Sequence, residues 1–118
     1  MASGIVKTGT KLIPLWTNSS PTSSFAAQSV SVDLSPYDWF AIEYRYSATS
    51  LSFMPIAMFE VDENPHLLSV ANDTSNRTGG RGFTYSIANQ AIAFGGASYN
   101  GSATNNSTVP IAIYGIKL

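Results

Sequence analysis

The chain has 118 residues, 44% of them apolar, enough for one core of ordinary domain size, and residues 1–118 read as a single domain. Charged residues make up only 11%, against roughly 25% in an average domain, and six basic against seven acidic side chains leave a net charge of −1. The absence of cysteine excludes a disulfide framework or a thiolate zinc site, and the lack of a Lys/Arg cluster argues against a nucleic-acid partner.

No apolar run reaches the roughly 18 residues that span a bilayer, so membrane insertion is not expected. The start Met1-Ala2-Ser3-Gly4-Ile5-Val6-Lys7 lacks the basic end and apolar stretch of a signal peptide, which predicts synthesis in the cytoplasm. Ser, Thr and Asn take the place of charges. Neutral polar faces can be covered in an assembly without desolvating ions, which points to a homo-oligomer.

In chain order, the first expected strand is an irregular one over 11–17, followed by a Ser/Thr/Pro turn over 18–24. Segment 25–34 alternates Val30, Val32 and Leu34 with Ser29, Ser31 and Asp33, the period-two pattern of a strand with two unlike faces. After Ser35-Pro36-Tyr37-Asp38, segment 38–46 places Phe40, Ile42, Tyr44 and Tyr46 on one face and Ala41, Glu43 and Arg45 on the other. Segment 53–61 contains Pro55, which implies an edge strand or a bulge. Beyond a turn at 62–65, shorter strands are expected at 67–71, 81–88 and 91–94, separated by long loops at 72–80 and 95–107. The last strand, 108–118, has Val109, Ile111 and Ile113 on one face and Ala112, Tyr114 and Ile116 on the other. A strand apolar on both faces belongs in the middle of a sheet or in an oligomer, so Ile111, Ile113, Tyr114 and Ile116 are candidate interface residues. Helical spacing never persists. About eight strands predict an all-β, antiparallel, jelly-roll-like sandwich.

The chemistry-bearing residues are sparse. His66 is the only histidine and reads as a turn-flanking side chain, with no partner spacing for a zinc site or a serine triad. Glu60, Asp62, Glu63 and Asn64 lack the glycine and the downstream acid of a calcium loop, so they read as a solvated turn. Gly79-Gly80-Arg81-Gly82 leads into a strand and not a helix, so it reads as a flexible loop end and not a phosphate cradle. Sequons such as Asn18-Ser19-Ser20 and Asn100-Gly101-Ser102 mark surface loops. No catalytic, cofactor or metal residue is nominated, and no enzyme is expected. Aromatic rings are the remaining lead. Trp39, Tyr37 and Tyr99 are candidates for stacking on sugars, weighed against plain packing in the core or an interface, as for Trp16 and Tyr114.

Two stretches carry a resemblance. One is Leu15-Trp16-Thr17-Asn18-Ser19-Ser20-Pro21-Thr22-Ser23-Ser24-Phe25-Ala26-Ala27-Gln28, continued by Val32-Asp33-Leu34-Ser35-Pro36-Tyr37-Asp38. The other is the ending Val109-Pro110-Ile111-Ala112-Ile113-Tyr114-Gly115-Ile116-Lys117. Together they resemble small β-rich modules of phage and prophage tail, fibre or minor structural proteins from Gram-positive gut bacteria. The resemblance implies a virion-associated structural module that homo-oligomerises, with a trimer favoured, in contact with other virion proteins. The alternative is a head that recognises host cell-surface polysaccharide. It carries over no active site.

Overall fold

The computed structural model describes residues 11–45, 49–59, 66–72, 77–86 and 88–118. Within them the two-residue rhythm gives nine strands: β1 (Ile13–Thr17), β2 (Gln28–Ser31), β3 (Trp39–Arg45), β4 (Thr49–Pro55), β5 (His66–Asn72), β6 (Arg77–Ser86), β7 (Ala91–Tyr99), β8 (Ser102–Ala103) and β9 (Val109–Ile116). A single 3₁₀ turn, Ile56–Phe59, follows β4. Sheet A runs β1-β9-β3-β4, and sheet B runs β2-β7-β6-β5 with β8 paired to β7. Every pairing is antiparallel. The chain is an all-β sandwich. The pairs β1–β9 and β2–β7 bring the chain's two ends together in both sheets, whereas β3–β4 and β5–β6 are hairpins within one sheet.

The alternation decides which side chains meet between the sheets. Phe40, Ile42 and Tyr44 of β3, with Met54, Val109 and Ile113, face Leu68, Phe83, Tyr85, Ile92 and Phe94 of sheet B. Val30, Val32 and Leu34 are all buried as their spacing predicts, although only Gln28–Ser31 is strand. Fully burying a side chain of this size stabilises the fold by about 1.5–3 kcal/mol. Trp16, Phe25, Phe83 and Phe94 form an edge-to-face and tilted aromatic cluster at one end, with centroids 5.6–6.3 Å apart.

Several elements depart from expectation. The strand expected over 53–61 runs instead over 49–55 and gives way to the 3₁₀ turn, although β4 does lie at the edge of sheet A as Pro55 implies, where a missing N–H costs no ladder bond. β6 starts at Arg77, so Gly79, Gly80 and Gly82 are strand residues and not a loop end. β7 extends to Tyr99, which leaves the expected 95–107 loop much shorter. β9 is central, but a register shift opposite Glu43 and Tyr44 skips Ile111, so Val109 and Ile113 reach the core while Ile111 is half-buried.

One packing contact needs a glycine. The Tyr37 ring lies flat against Gly115 of β9, where an added Cβ would sit 2.7 Å from ring carbons. The adjacent Tyr37 N–H donates to the Leu34 carbonyl at 3.0 Å, which anchors the turn that carries the ring. Gly115→Ala is therefore expected to destabilise the protein by about 1–3 kcal/mol in urea unfolding, through overpacking against the ring. An unchanged midpoint would show that Tyr37 does not hold this position.

Candidate functional site

The site is built around Arg81, which the inward alternation of β6 places between the sheets. Its side chain is fully buried, yet among the described residues no carboxylate pairs with it. Backbone carbonyls take that role. Nε donates to Thr108 at 2.9 Å, Nη1 to Gly95 at 2.7 Å, and Nη2 to Asn105 and Ser107 at 3.3 Å each. The guanidinium also lies over the Phe25 ring, 5.2 Å from its centroid. Burial pushes its pKa down to about 10, so it stays charged at neutral pH.

Local backbone features present these carbonyls. Arg81 pairs with Ala97 and Phe83 with Phe94, so Gly95 and Gly96 together oppose Gly82 in a bulge. Thr108 adopts φ 49°, a left-handed conformation that strains a β-branched residue. It is held there by the Arg81 bond and by a 3.0 Å contact between its hydroxyl and that of Ser107. Asn100 (φ 53°) and Gly101 (φ 83°) make the two-residue turn that joins β7 to β8. Gly79 leaves space beneath this segment. A Cβ there would meet Ser107 Oγ at 2.6 Å and the Tyr99 ring at 3.0 Å.

The result is an open cleft of about 530 Å³ lined by Thr22, Arg45, Tyr99, Thr104, Asn106 and Ser107. That volume lies within the roughly 300–1,000 Å³ of small-ligand sites. Its two walls are segments 18–25 and 100–107. Arg45 braces the first wall by donating from Nε to the Pro21 carbonyl and from Nη2 to the Ser23 carbonyl, the latter at 3.3 Å. Arg81 braces the second, and the Phe25 N–H joins the two by donating to the Asn105 carbonyl at 2.9 Å. Asn18 is consumed in the same scaffold. Its Nδ2 donates to the Pro110 carbonyl and its Oδ1 accepts from Ser20 N–H, both at 2.8 Å.

Of the three stacking candidates, only Tyr99 lines this cleft. Trp39 stands at the other end of β3 from Arg45, about 20 Å away at strand rise. It is half-buried on the outer face of sheet A, in register with Pro55 and Ile116. Tyr37 has its ring committed to Gly115. Among the interface candidates, Ile113 and Ile116 are fully buried within the chain and present no side chain to a second copy, which corrects the expectation for these two. Ile111 and Tyr114 are half-buried. Tyr114 donates to Glu43 at 2.7 Å on the outer face of sheet A, and that bond raises its phenol pKa, with burial adding to the shift.

His66 opens β5 with its ring tilted against Phe83 at 5.7 Å. Glu60, Asp62, Glu63 and Asn64 lie outside the described residues. Sequence reading missed Arg45 and Thr22, and it placed Arg81 at a flexible loop end where the structure buries it. The Asn100-Gly101 pair flanked by strand residues was the available signal that 95–107 is a hairpin and not one long loop.

Comparison with protein-family models, curated proteins and solved structures finds no match for this chain.

The close approach at Gly79 can be tested by a double-mutant cycle. Gly79→Ala should cost about 1–3 kcal/mol in denaturant unfolding, and Ser107→Gly in the same chain should return part of that loss. Strict additivity of the two changes would show that Ser107 does not rest on Gly79.

Proposed function

We propose that the chain is a non-catalytic module of a phage virion appendage whose loop-end cleft binds host cell-surface glycan. The cleft carries this reading. It sets the Tyr99 ring beside the Arg45 guanidinium, the Asn106 amide and the hydroxyls of Thr22 and Thr104. A sugar ring needs this combination, an aromatic face for its C–H side and hydrogen-bond donors and acceptors for its hydroxyls. The chemistry is that of recognition, because among the described residues the lining offers hydroxyl, amide, guanidinium and phenol groups and no carboxylate, imidazole or thiol. Both walls are tied to the sandwich by buried or half-buried arginines, so little ordering entropy remains to be lost on binding. The virion setting is supported by the resemblance of 15–28, 32–38 and 109–117 to phage structural modules.

Isothermal titration with purified wall polysaccharide from Gram-positive bacteria tests this. Tyr99→Ala and Asn106→Ala should each weaken binding about tenfold or more in protein that keeps the parent far-UV spectrum. Trp39→Ala should leave affinity intact. Loss of binding in Trp39→Ala with retention in Tyr99→Ala would move the site to the outer face of sheet A. Absence of binding to every wall fraction would leave the purely structural reading.

A further inference from the structure

We propose that Asn100 is a modification site, at which the native protein converts spontaneously to isoaspartate in the turn beside Tyr99. An asparagine side chain closes on the backbone nitrogen of the next residue when that nitrogen is uncrowded and the amide is not held elsewhere. Of the asparagines in the chain, only Asn100 precedes glycine, which has no Cβ to obstruct the attack. Asn100 and Gly101 are both exposed, and nothing stands within 4 Å of where a Gly101 Cβ would be. Among the described residues, neither the Asn100 side-chain amide nor the Gly101 N–H makes a hydrogen bond. The turn is closed by β8, a strand of only two residues, so it opens locally at little cost to the sandwich and lets the reacting atoms meet.

The fold withholds these conditions from its other asparagines. Both polar atoms of the Asn18 side chain are engaged, with the Pro110 carbonyl and the Ser20 N–H. The nitrogen after Asn105 donates to the Thr104 hydroxyl at 3.3 Å. The nitrogen after Asn106 belongs to Ser107, which is fully buried and donates to the Thr104 carbonyl at 3.5 Å. Gln90 sets a long side chain beside the nitrogen that follows Asn89. At Asn100 the Gly101 nitrogen gives up its proton to hydroxide and bonds to Cγ, and ammonia leaves, which closes a five-membered succinimide. Water then opens the ring. Opening at the α-carbonyl routes the main chain through Cγ as isoaspartate, and opening at Cγ gives aspartate; neither route needs an oxidant or a reductant. The native turn fits two residues between the paired Tyr99 and Ser102. Isoaspartate lengthens that path by one main-chain atom and sets a carboxylate next to Tyr99, so the change acts on the cleft wall. The chemistry itself does not depend on glycan binding.

The test incubates the native full chain at mildly alkaline pH, digests it with trypsin and reads peptide 82–117 by mass spectrometry, with an unincubated digest as the control. The expected product is heavier by about 1 Da, the difference between an amide and an acid, and fragmentation places the change at Asn100. It accepts a methyl group from an isoaspartyl methyltransferase, and it forms faster as the pH is raised. Its rate should exceed that of any change at Asn89, Asn105 or Asn106 by at least about tenfold, a ratio that reads the protection the fold gives those three. Asn100→Gly, whose Gly-Gly pair suits the same turn, should abolish the product. An unchanged mass at Asn100 would overturn the proposal. So would conversion only in urea-unfolded chain, or equal rates at Asn100 and Asn106.

Discussion

The loop end of this sandwich depends on one buried cation. Arg81 enters from the middle of β6, and its guanidinium donates to four backbone carbonyls between Gly95 and Thr108. A buried charge without a counter-ion is costly, and carbonyl dipoles with a ring face beneath the plane offset that cost. The sign of the effect on stability follows from its lowered pKa. Between about 10 and the ordinary arginine value the unfolded chain holds more protons than the native one, so this group's contribution to stability rises with pH there. At neutral pH both states are fully protonated and the contribution is constant. Arg81 is therefore a fixed brace under ordinary conditions.

The brace explains features that would otherwise look unrelated. The Gly95-Gly96 bulge turns a carbonyl inward, and Thr108 tolerates a left-handed backbone because its carbonyl has a charged donor to meet. Ser107 and Thr108 are completely buried although both are polar, and no buried side-chain polar atom among the described residues lacks a partner. Gly79 is small because the loop returns directly over it. The Phe25–Asn105 bond then transmits this order to the opposite wall, where Arg45 fixes Pro21 and Ser23. Two arginines thus hold two walls, and the cleft is the space between them.

Most of the sandwich was legible from side-chain alternation, because Phe40, Ile42 and Tyr44, or Val30, Val32 and Leu34, admit only one buried face. Pro55 marked the edge strand for an equally local reason. Register irregularities were not legible. Ile111 fits the β9 alternation perfectly by sequence and is moved off it by a bulge that depends on pairing with β3. The glycines of 79–82 suggested a loop because glycine is rare inside strands, whereas here Gly79 serves the loop packed above it. Arg81 was invisible as a core residue because an isolated arginine is normally solvent-facing, and its partners are carbonyls that carry no sequence signature. Tyr99, a stacking candidate by sequence, lines the cleft, but its neighbours Arg45 and Thr22 come from distant parts of the chain.

Amide hydrogen exchange on the Arg81→Lys variant tests the central claim most directly, since lysine keeps the charge but lacks the planar fork that reaches four carbonyls. The account predicts that protection falls selectively at Phe25 and Thr104, whose N–H groups bond within the braced segments, to Asn105 and Ala97. Amides of β3 paired to β9, such as Ile42, should retain near-native protection. Equal protection in variant and parent at Phe25 and Thr104 would contradict the account, as would a uniform loss across both sheets.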